Sequence, residues 1–510
     1  MSDTPDVAEP KSDDPTELAS PTAASARSMD QSLAHSLAWR AGADWFSQIL
    51  SWSSFLIVVR LLTPADFGIA AMAMVLWSYL RYLGEFGIPQ TIVTLRDLSE
   101  DQLAQLNSVA LLLGVCGFGL ATLLAYPVAA FFKTPPLVLV VVVTCTGLVP
   151  LGFRAVSEGL LNKDMRYRTL SLIDATSSIV GAIAALLMAY SGLGYWSLVL
   201  GNLARYSARS TLVVIARPHR FAMPRLDSLR RPLTFGWHVL VSVVASSSYE
   251  KLDNVTAGRM LGQGALGIYG MAWTLANVPM EKLTTLVTTT IPTYFAAVQT
   301  EPAALRRYLR TLTETLALTT FPATIGLALV AHDLIPFALG HKWDGVIVPL
   351  EILSVYVTLR SVVALLGKLL TAVGNPRFVM WDDLAALIIL PTGFYIGSHW
   401  GTSGIAWGWV VAYPLVALPL YWKTFKAIEM PVGDYLRALR PALHGTLGMV
   451  LVVSLIKWAL LPEEPLLLRL VAEIAAGATA YVLILLLLHR ERMATFARTV
   501  QAFRGVQTNK

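Results

Sequence analysis

Apolar runs of 19 to 33 residues, parted by short polar stretches, recur along almost the whole chain. A helix of about 20 apolar residues spans the hydrocarbon core of a bilayer, so each run predicts one membrane crossing. Fourteen follow: 36–60, 68–94, 104–131, 137–160, 169–190, 195–216, 232–257, 266–298, 304–331, 346–373, 379–397, 402–424, 440–460 and 466–488. Pro279, Pro292 and Pro322 fall inside these runs, as do Gly84 and Gly87. Within a bundle, neighbouring helices satisfy the backbone groups that such residues free. Residues 332–345 form a broken stretch between the ninth and tenth runs. The predicted fold class is an all-α polytopic membrane protein of about 14 transmembrane helices.

Composition sharpens this picture. Of 510 residues, 55% are hydrophobic and 14% charged, with a mean hydropathy of +0.59, against roughly 25% charged in a soluble domain. Residues 1–31 are acidic, rich in Ser, Pro and Ala, and nearly free of large apolar side chains. They predict a disordered cytoplasmic tail, without the basic-then-apolar layout of a cleavable signal peptide. Cys116 and Cys145 lie within apolar runs, which makes neither a disulfide framework nor a metal site.

Charge gives the orientation. Alternate loops (96–103, 161–168, 217–231, 299–310, 374–378, 423–440 and the C-terminal tail) carry 22 Lys and Arg, whereas the other set carries Lys133, Arg259 and Lys342, with Arg60 at a boundary. By the positive-inside rule both termini are cytoplasmic. The net charge of +6 then reflects topology and contact between basic loops and anionic lipid, with no nucleic acid implied.

Gly262, Gly264 and Gly267 spell G-x-G-x-x-G in "RMLGQGALGIYGM", a pattern that cradles pyrophosphate only between a strand and a helix. Here it follows an apolar run. "RLLTPADFGIAAM" at 60–72 offers a better reading: at an offset of 199, Arg60, Leu62, Gly68, Ile69 and Met72 recur as Arg259, Leu261, Gly267, Ile268 and Met271. Gly262 and Gly264 are then turn residues on the Lys- and Arg-poor side. "MRY" at 165–167 meets "PRF" at 376–378, and Gly194 meets Gly404. The predicted organisation is a six-helix lobe at 36–217, a basic linker at 218–231, a second six-helix lobe at 232–426, a helix pair at 427–490 and a basic tail at 491–510. Repeats of even span number share one orientation, one of the two repeat architectures of secondary transporters, with a cavity between the lobes.

"LLTPADFG", "EFGIPQTIV", "RDLSEDQL", "KLDNVTAGRMLGQGALGIYGMAW" and "LGHKWDG" make the chain, over about 36–490, similar to the polysaccharide biosynthesis flippases. These are Wzx-type members of the multidrug/oligosaccharidyl-lipid/polysaccharide exporter superfamily. The resemblance implies a V-shaped bundle of two lobes that alternates between inward-open and outward-open states. It also implies a lipid-linked oligosaccharide as substrate, carried on undecaprenyl diphosphate across the bacterial inner membrane, with spans one, two, seven and eight around a central cavity.

An ionisable group in mid-membrane costs about 2.5–3.5 kcal/mol on insertion scales and faces a cavity or a partner. Arg81, Lys282, Arg205, Arg360 and Arg259 are therefore the candidates for substrate contact, because guanidinium forks and ammonium groups bind phosphate. Glu85, Glu250, Asp253 and Glu281 are candidates for counter-charges or for H+ or Na+ coupling. A structural alternative stands beside each. Arg81 and Glu85 have the i,i+4 spacing of an intrahelical pair, Arg209 snorkels towards the basic face, and Arg60 and Arg259 anchor span ends. "HKWD" at 341–344 reads as a polar external turn, Trp407 and Trp409 as an interface belt, and His238 and His444 as lone core or interface histidines.

No G-x-x-x-x-G-K-[ST] occurs, "LLGKLL" near Lys368 lacking the first Gly and the hydroxyl residue, and no catalytic constellation or cofactor motif stands out. The reading is a transporter. Its alternatives are another transporter of the superfamily, carrying lipid II or exchanging drugs for cations, and, further off, a membrane glycosyltransferase or polymerase.

Overall fold

The computed structural model describes residues 48, 51–95, 97–248, 251–288, 295, 298–299, 301–459, 464–490 and 492. The chain divides into two compact units, Met1–Ser53 and Ser54–Lys510. Of the first, only Gln48 and residues 51–53 are described; the second holds the helix bundle. Most of the predicted first span and all of the tail 1–31 lie outside the described residues.

All regular structure among the described residues is helical. The helices are α1 (Ser51–Leu61), α2 (Pro64–Glu85), α3 (Ile88–Thr94), α4 (Glu100–Phe132), α5 (Leu137–Cys145), α6 (Leu148–Lys163), α7 (Tyr167–Tyr190), α8 (Trp196–Ala216), α9 (Leu226–Ser248), α10 (Leu252–Leu261), α11 (Gln263–Thr288), α12 (Pro302–Ala338), α13 (Ile347–Ala372), α14 (Pro376–Gly397), α15 (Gly401–Ala427), α16 (Val432–Ala459) and α17 (Leu466–Leu488). Nine segments among the described residues are long and apolar enough to cross a membrane.

Two expected spans are broken rather than straight. The second divides at Phe86–Gly87, both with positive φ (43° and 63°). The fourth divides between Cys145 and Leu148. The linker 218–231 is not free chain either. Asn107 Nδ2 donates to the His219 and Arg220 carbonyls, Gln105 Oε1 accepts from the Arg225 amide at 2.9 Å, and residues 226–231 already form the first turns of α9. The broken stretch 332–345 resolves into the end of α12 and a 3-10 turn, His341–Val346.

The phrase "TPAD" is a helix start. Thr63 and Asp66 form a reciprocal capping box at the N-terminus of α2, and Asp66 Oδ1 also accepts from the Tyr195 amide at 3.0 Å, fixing the start of α8. Just beyond it, α2 lies along α11. A Cβ on Gly68 would sit 1.7 Å from the Gln263 carbonyl oxygen, and one on Gly267 would sit 1.7 Å from the Pro64 carbonyl oxygen. Pro64 and Gln263 are 199 residues apart, as are Gly68 and Gly267. The contact is thus reciprocal: each glycine admits the backbone at the start of the other helix. Gly264 meets nothing within 4 Å, and Gly262, at φ 85°, ends α10.

The end of α1 is latched beside this clasp. Arg60 donates to the Phe337 and Ala338 carbonyls, Lys342 Nζ to the Arg60 carbonyl at 2.6 Å, and Trp343 Nε1 to the Val59 carbonyl at 3.1 Å. Trp343, fully buried, also meets Phe67 edge-on at 5.2 Å. On the Lys- and Arg-rich side a second close approach joins the α2–α3 break to α9, where a Cβ on Gly236 would lie 2.5 Å from the Phe86 carbonyl oxygen. Helices α16 and α17 pack on α12, with Arg469 of α17 paired to Asp333 of α12 (2.7 Å) and Lys457–Glu473 (3.8 Å) joining α16 to α17.

A candidate functional site between the helices of the clasp

Beneath the clasp lies a cavity of about 460 Å³, within the size range of ligand sites. Phe55 of α1, Phe67 and Met74 of α2 and Trp273 of α11 form its apolar wall. Ser78, Asn202, Asn254 and Thr274 supply polar atoms, and Lys251 is the one ionisable side chain among the described residues lining it. Ser78 and Thr274 donate to their own i−4 carbonyls at 2.8 Å, leaving their oxygen lone pairs for a ligand.

Asp253 is two residues from Lys251 but points away from solvent, fully buried. Its Oδ2 accepts from Tyr269 OH (2.9 Å) and Trp409 Nε1 (3.3 Å), and its Oδ1 from the Asn254 backbone and side-chain amides (2.6 and 2.9 Å). The Trp409 ring packs at a tilt against Tyr356, Phe394 and Trp273, with centroids 4.6 to 5.2 Å apart. Trp409 is therefore core, not part of an interface belt. Trp407 is 53% exposed.

The charges of the first half form a ladder. Arg81 pairs with Glu85 (3.2 Å), Glu85 with Arg154 (3.8 Å), Arg154 with Glu158 (3.1 Å), Glu158 with Arg209 (3.0 Å) and Arg209 with Asp174 (3.1 Å). Three cations and three carboxylates join α2, α6, α7 and α8 into a neutral set, which is how a low-dielectric region tolerates charge. Arg154, Glu158 and Asp174 were not among the expected residues, although "RAVSE" carries opposite charges at i,i+4 inside an apolar run.

The expected cations are dispersed. Arg81 lines a second, smaller pocket. Arg259 lies over the Phe131 ring at 5.3 Å, and Arg205 sits on α8 where α8 crosses Gly181 of α7. Arg360 is on α13, away from the cavity lining. Glu281 is exposed on α11; the Lys282 side chain and Glu250 lie outside the described residues. His341 and Asp344 meet at 3.2 Å on the surface of the 3-10 turn, whereas His444 is not alone, its Nδ1 lying 3.3 Å from His489 Nε2.

Among solved structures, the lipid II flippase MurJ in an inward closed conformation matches with a TM-score of 0.73 at 16% identity, covering 89% of this chain and 99% of that one. An inward-facing multidrug resistance transporter of the MATE family matches with a TM-score of 0.57 at 15% identity, covering 75% and 94%. The fold is that of the polytopic transporters of the MOP superfamily, the multidrug/oligosaccharidyl-lipid/polysaccharide exporters. Residues 57–348 match the family described as polysaccharide biosynthesis protein, and the chain belongs to that family. It is 23% identical to the lipopolysaccharide biosynthesis protein WzxC of Escherichia coli (73% of this chain, 76% of that one). It is 25% identical to the succinoglycan biosynthesis transport protein ExoT of Rhizobium meliloti (85% and 88%).

Proposed function

We propose that the chain is a flippase that carries an undecaprenyl-diphosphate-linked oligosaccharide, a unit of exopolysaccharide, capsule or O-antigen, across the bacterial inner membrane. Both termini are cytoplasmic, the basic loops rest on anionic lipid, and the protein is a transporter, not an enzyme. The cavity lined from both sides of the clasp carries this reading. Its amides and hydroxyls suit sugar, its aromatic wall suits sugar ring faces, and Lys251 suits the diphosphate. A lysine at this position disfavours an organic cation as cargo.

The test is reconstitution. Vesicles holding this protein alone should move a fluorescent undecaprenyl-diphosphate sugar between leaflets faster than empty vesicles, and equal rates overturn the proposal. In the same assay Lys251→Ala should slow flipping at least tenfold, with Lys251→Arg restoring most of it, since a phosphate contact is worth about 1.5–3 kcal/mol.

Asp253, caged by neutral donors, is the proposed coupling carboxyl for H+ or Na+. Asp253→Asn keeps an acceptor for Tyr269 and Trp409 and should leave a folded protein whose flipping no longer responds to an imposed proton or sodium gradient. An unchanged gradient response in that variant removes Asp253 from the mechanism.

A further inference from the structure

The second pocket, about 170 Å³, lies on the Lys- and Arg-rich side, between the α2–α3 break and α9. Arg81, Tyr82, Glu85 and Gln90 line one wall, and Val239 and Val243 line the other. Neither the clasp nor the larger cavity uses it.

Its chemistry is that of neither an anion site nor a cation site. Arg81 Nη1 donates to both Glu85 oxygens at 3.2 Å, so the pair is neutral as a unit. A diphosphate brought here would meet the Glu85 carboxylate. The side chains instead present guanidinium donors, carboxylate acceptors and an amide that does both, beside the Tyr82 ring over which Arg81 sits at 4.6 Å. Neighbouring hydroxyls on a sugar ring each need one donor and one acceptor, and charged partners make such bonds stronger than neutral ones. The two valines opposite offer an apolar surface to the C–H face of the same ring.

Size agrees as well. At about 30 Å³ per water the pocket of about 170 Å³ holds about half a dozen waters, the room of one sugar ring. An oligosaccharide would not fit whole.

We infer that this pocket is a monosaccharide subsite, holding one sugar ring of the translocated glycan between α2–α3 and α9, with Arg81, Glu85 and Gln90 as its hydrogen-bonding residues. The inference rests on the proposed transport of a lipid-linked glycan and deepens it: Arg81 reads hydroxyls here, not phosphate. Because the two walls come from α2–α3 and α9, a bound ring favours the arrangement in which these helices meet.

Saturation-transfer difference NMR on the full chain in lipid nanodiscs tests this, with the methyl glycosides of glucose, galactose, mannose and glucuronic acid as probes. At least one should show transfer, reduced fivefold or more both by Gln90→Ala, which removes an exposed amide, and by Val243→Trp, which fills the pocket from the opposite wall. Gly264→Ala, at a position with open space around it, should leave the signal unchanged. No transfer from any probe, or transfer unaltered in Gln90→Ala and Val243→Trp, overturns the subsite. Flipping by the same preparation separates the two claims. Wild-type flipping without Gln90-dependent sugar transfer removes the pocket alone, whereas absence of wild-type flipping removes the transport reading and, with it, the assignment of the bound ring to a translocated glycan.

Discussion

Gly68→Val is expected to abolish flipping while leaving the protein inserted and folded. A Cβ at this position would lie 1.7 Å from the Gln263 carbonyl oxygen, so the start of α2 must retreat from α11 by more than an ångström before contact is tolerable. Overpacking of a close contact costs about 1–3 kcal/mol, enough to shift a balanced two-state equilibrium by one to two powers of ten. The cost falls on the clasped arrangement alone, so a transporter that must close this face during its cycle stalls with the face open. Gly267→Val should do the same through the Pro64 carbonyl. The double variant should be no worse than either single one, because both block one closure and their effects do not add. Gly264→Ala, three residues before Gly267, meets open space and should transport normally. Vesicle flipping rates for these four variants decide the matter. Additive losses would assign the glycines separate roles.

Arg154→Met should give the largest loss of stability. Arg154 is 6% exposed and lies between Glu85 and Glu158. Removing it leaves two carboxylates facing each other with half their compensation gone, a loss of about 3–5 kcal/mol for a buried pair broken on one side. The unfolding temperature in detergent should fall clearly. Adding Glu158→Gln to Arg154→Met should recover part of the loss, since a neutral amide no longer needs the guanidinium. Equal stability of wild type and Arg154→Met would mean that the ladder is solvated, not desolvated.

The helices were legible because apolar length is a strong signal in a membrane protein, and the positions of α4, α7, α8, α13 to α15 and α17 follow the runs closely, whereas α12 runs on to Ala338 and α16 starts already at Val432. What apolarity cannot show is where a run bends. The Phe86–Gly87 break depends on Gly236, whose close approach to the Phe86 carbonyl lies far along the chain. The recurrence of Gly68 at Gly267 was legible as a pattern, but not that they would admit the Gln263 and Pro64 carbonyls of the facing helix starts. Lys251 was passed over because it shares a polar cluster with Glu250 and Asp253, and nothing local separates a cavity-lining lysine from a caged carboxylate two residues on. Trp343 looked like part of a polar turn because its partner is the Val59 carbonyl on α1. The Arg154–Glu158 pair had a readable spacing, hidden by the hydrophobic residues around it.

The most direct test of the central claim places a single cysteine in the cavity, Asn202→Cys, in a chain whose Cys116 and Cys145 have been replaced by alanine. A membrane-impermeant maleimide is then applied from one face of the membrane at a time. The account predicts labelling from each face, with labelling from the Lys- and Arg-poor face increased by Gly68→Val. Labelling from one face only, unchanged by Gly68→Val, would contradict it.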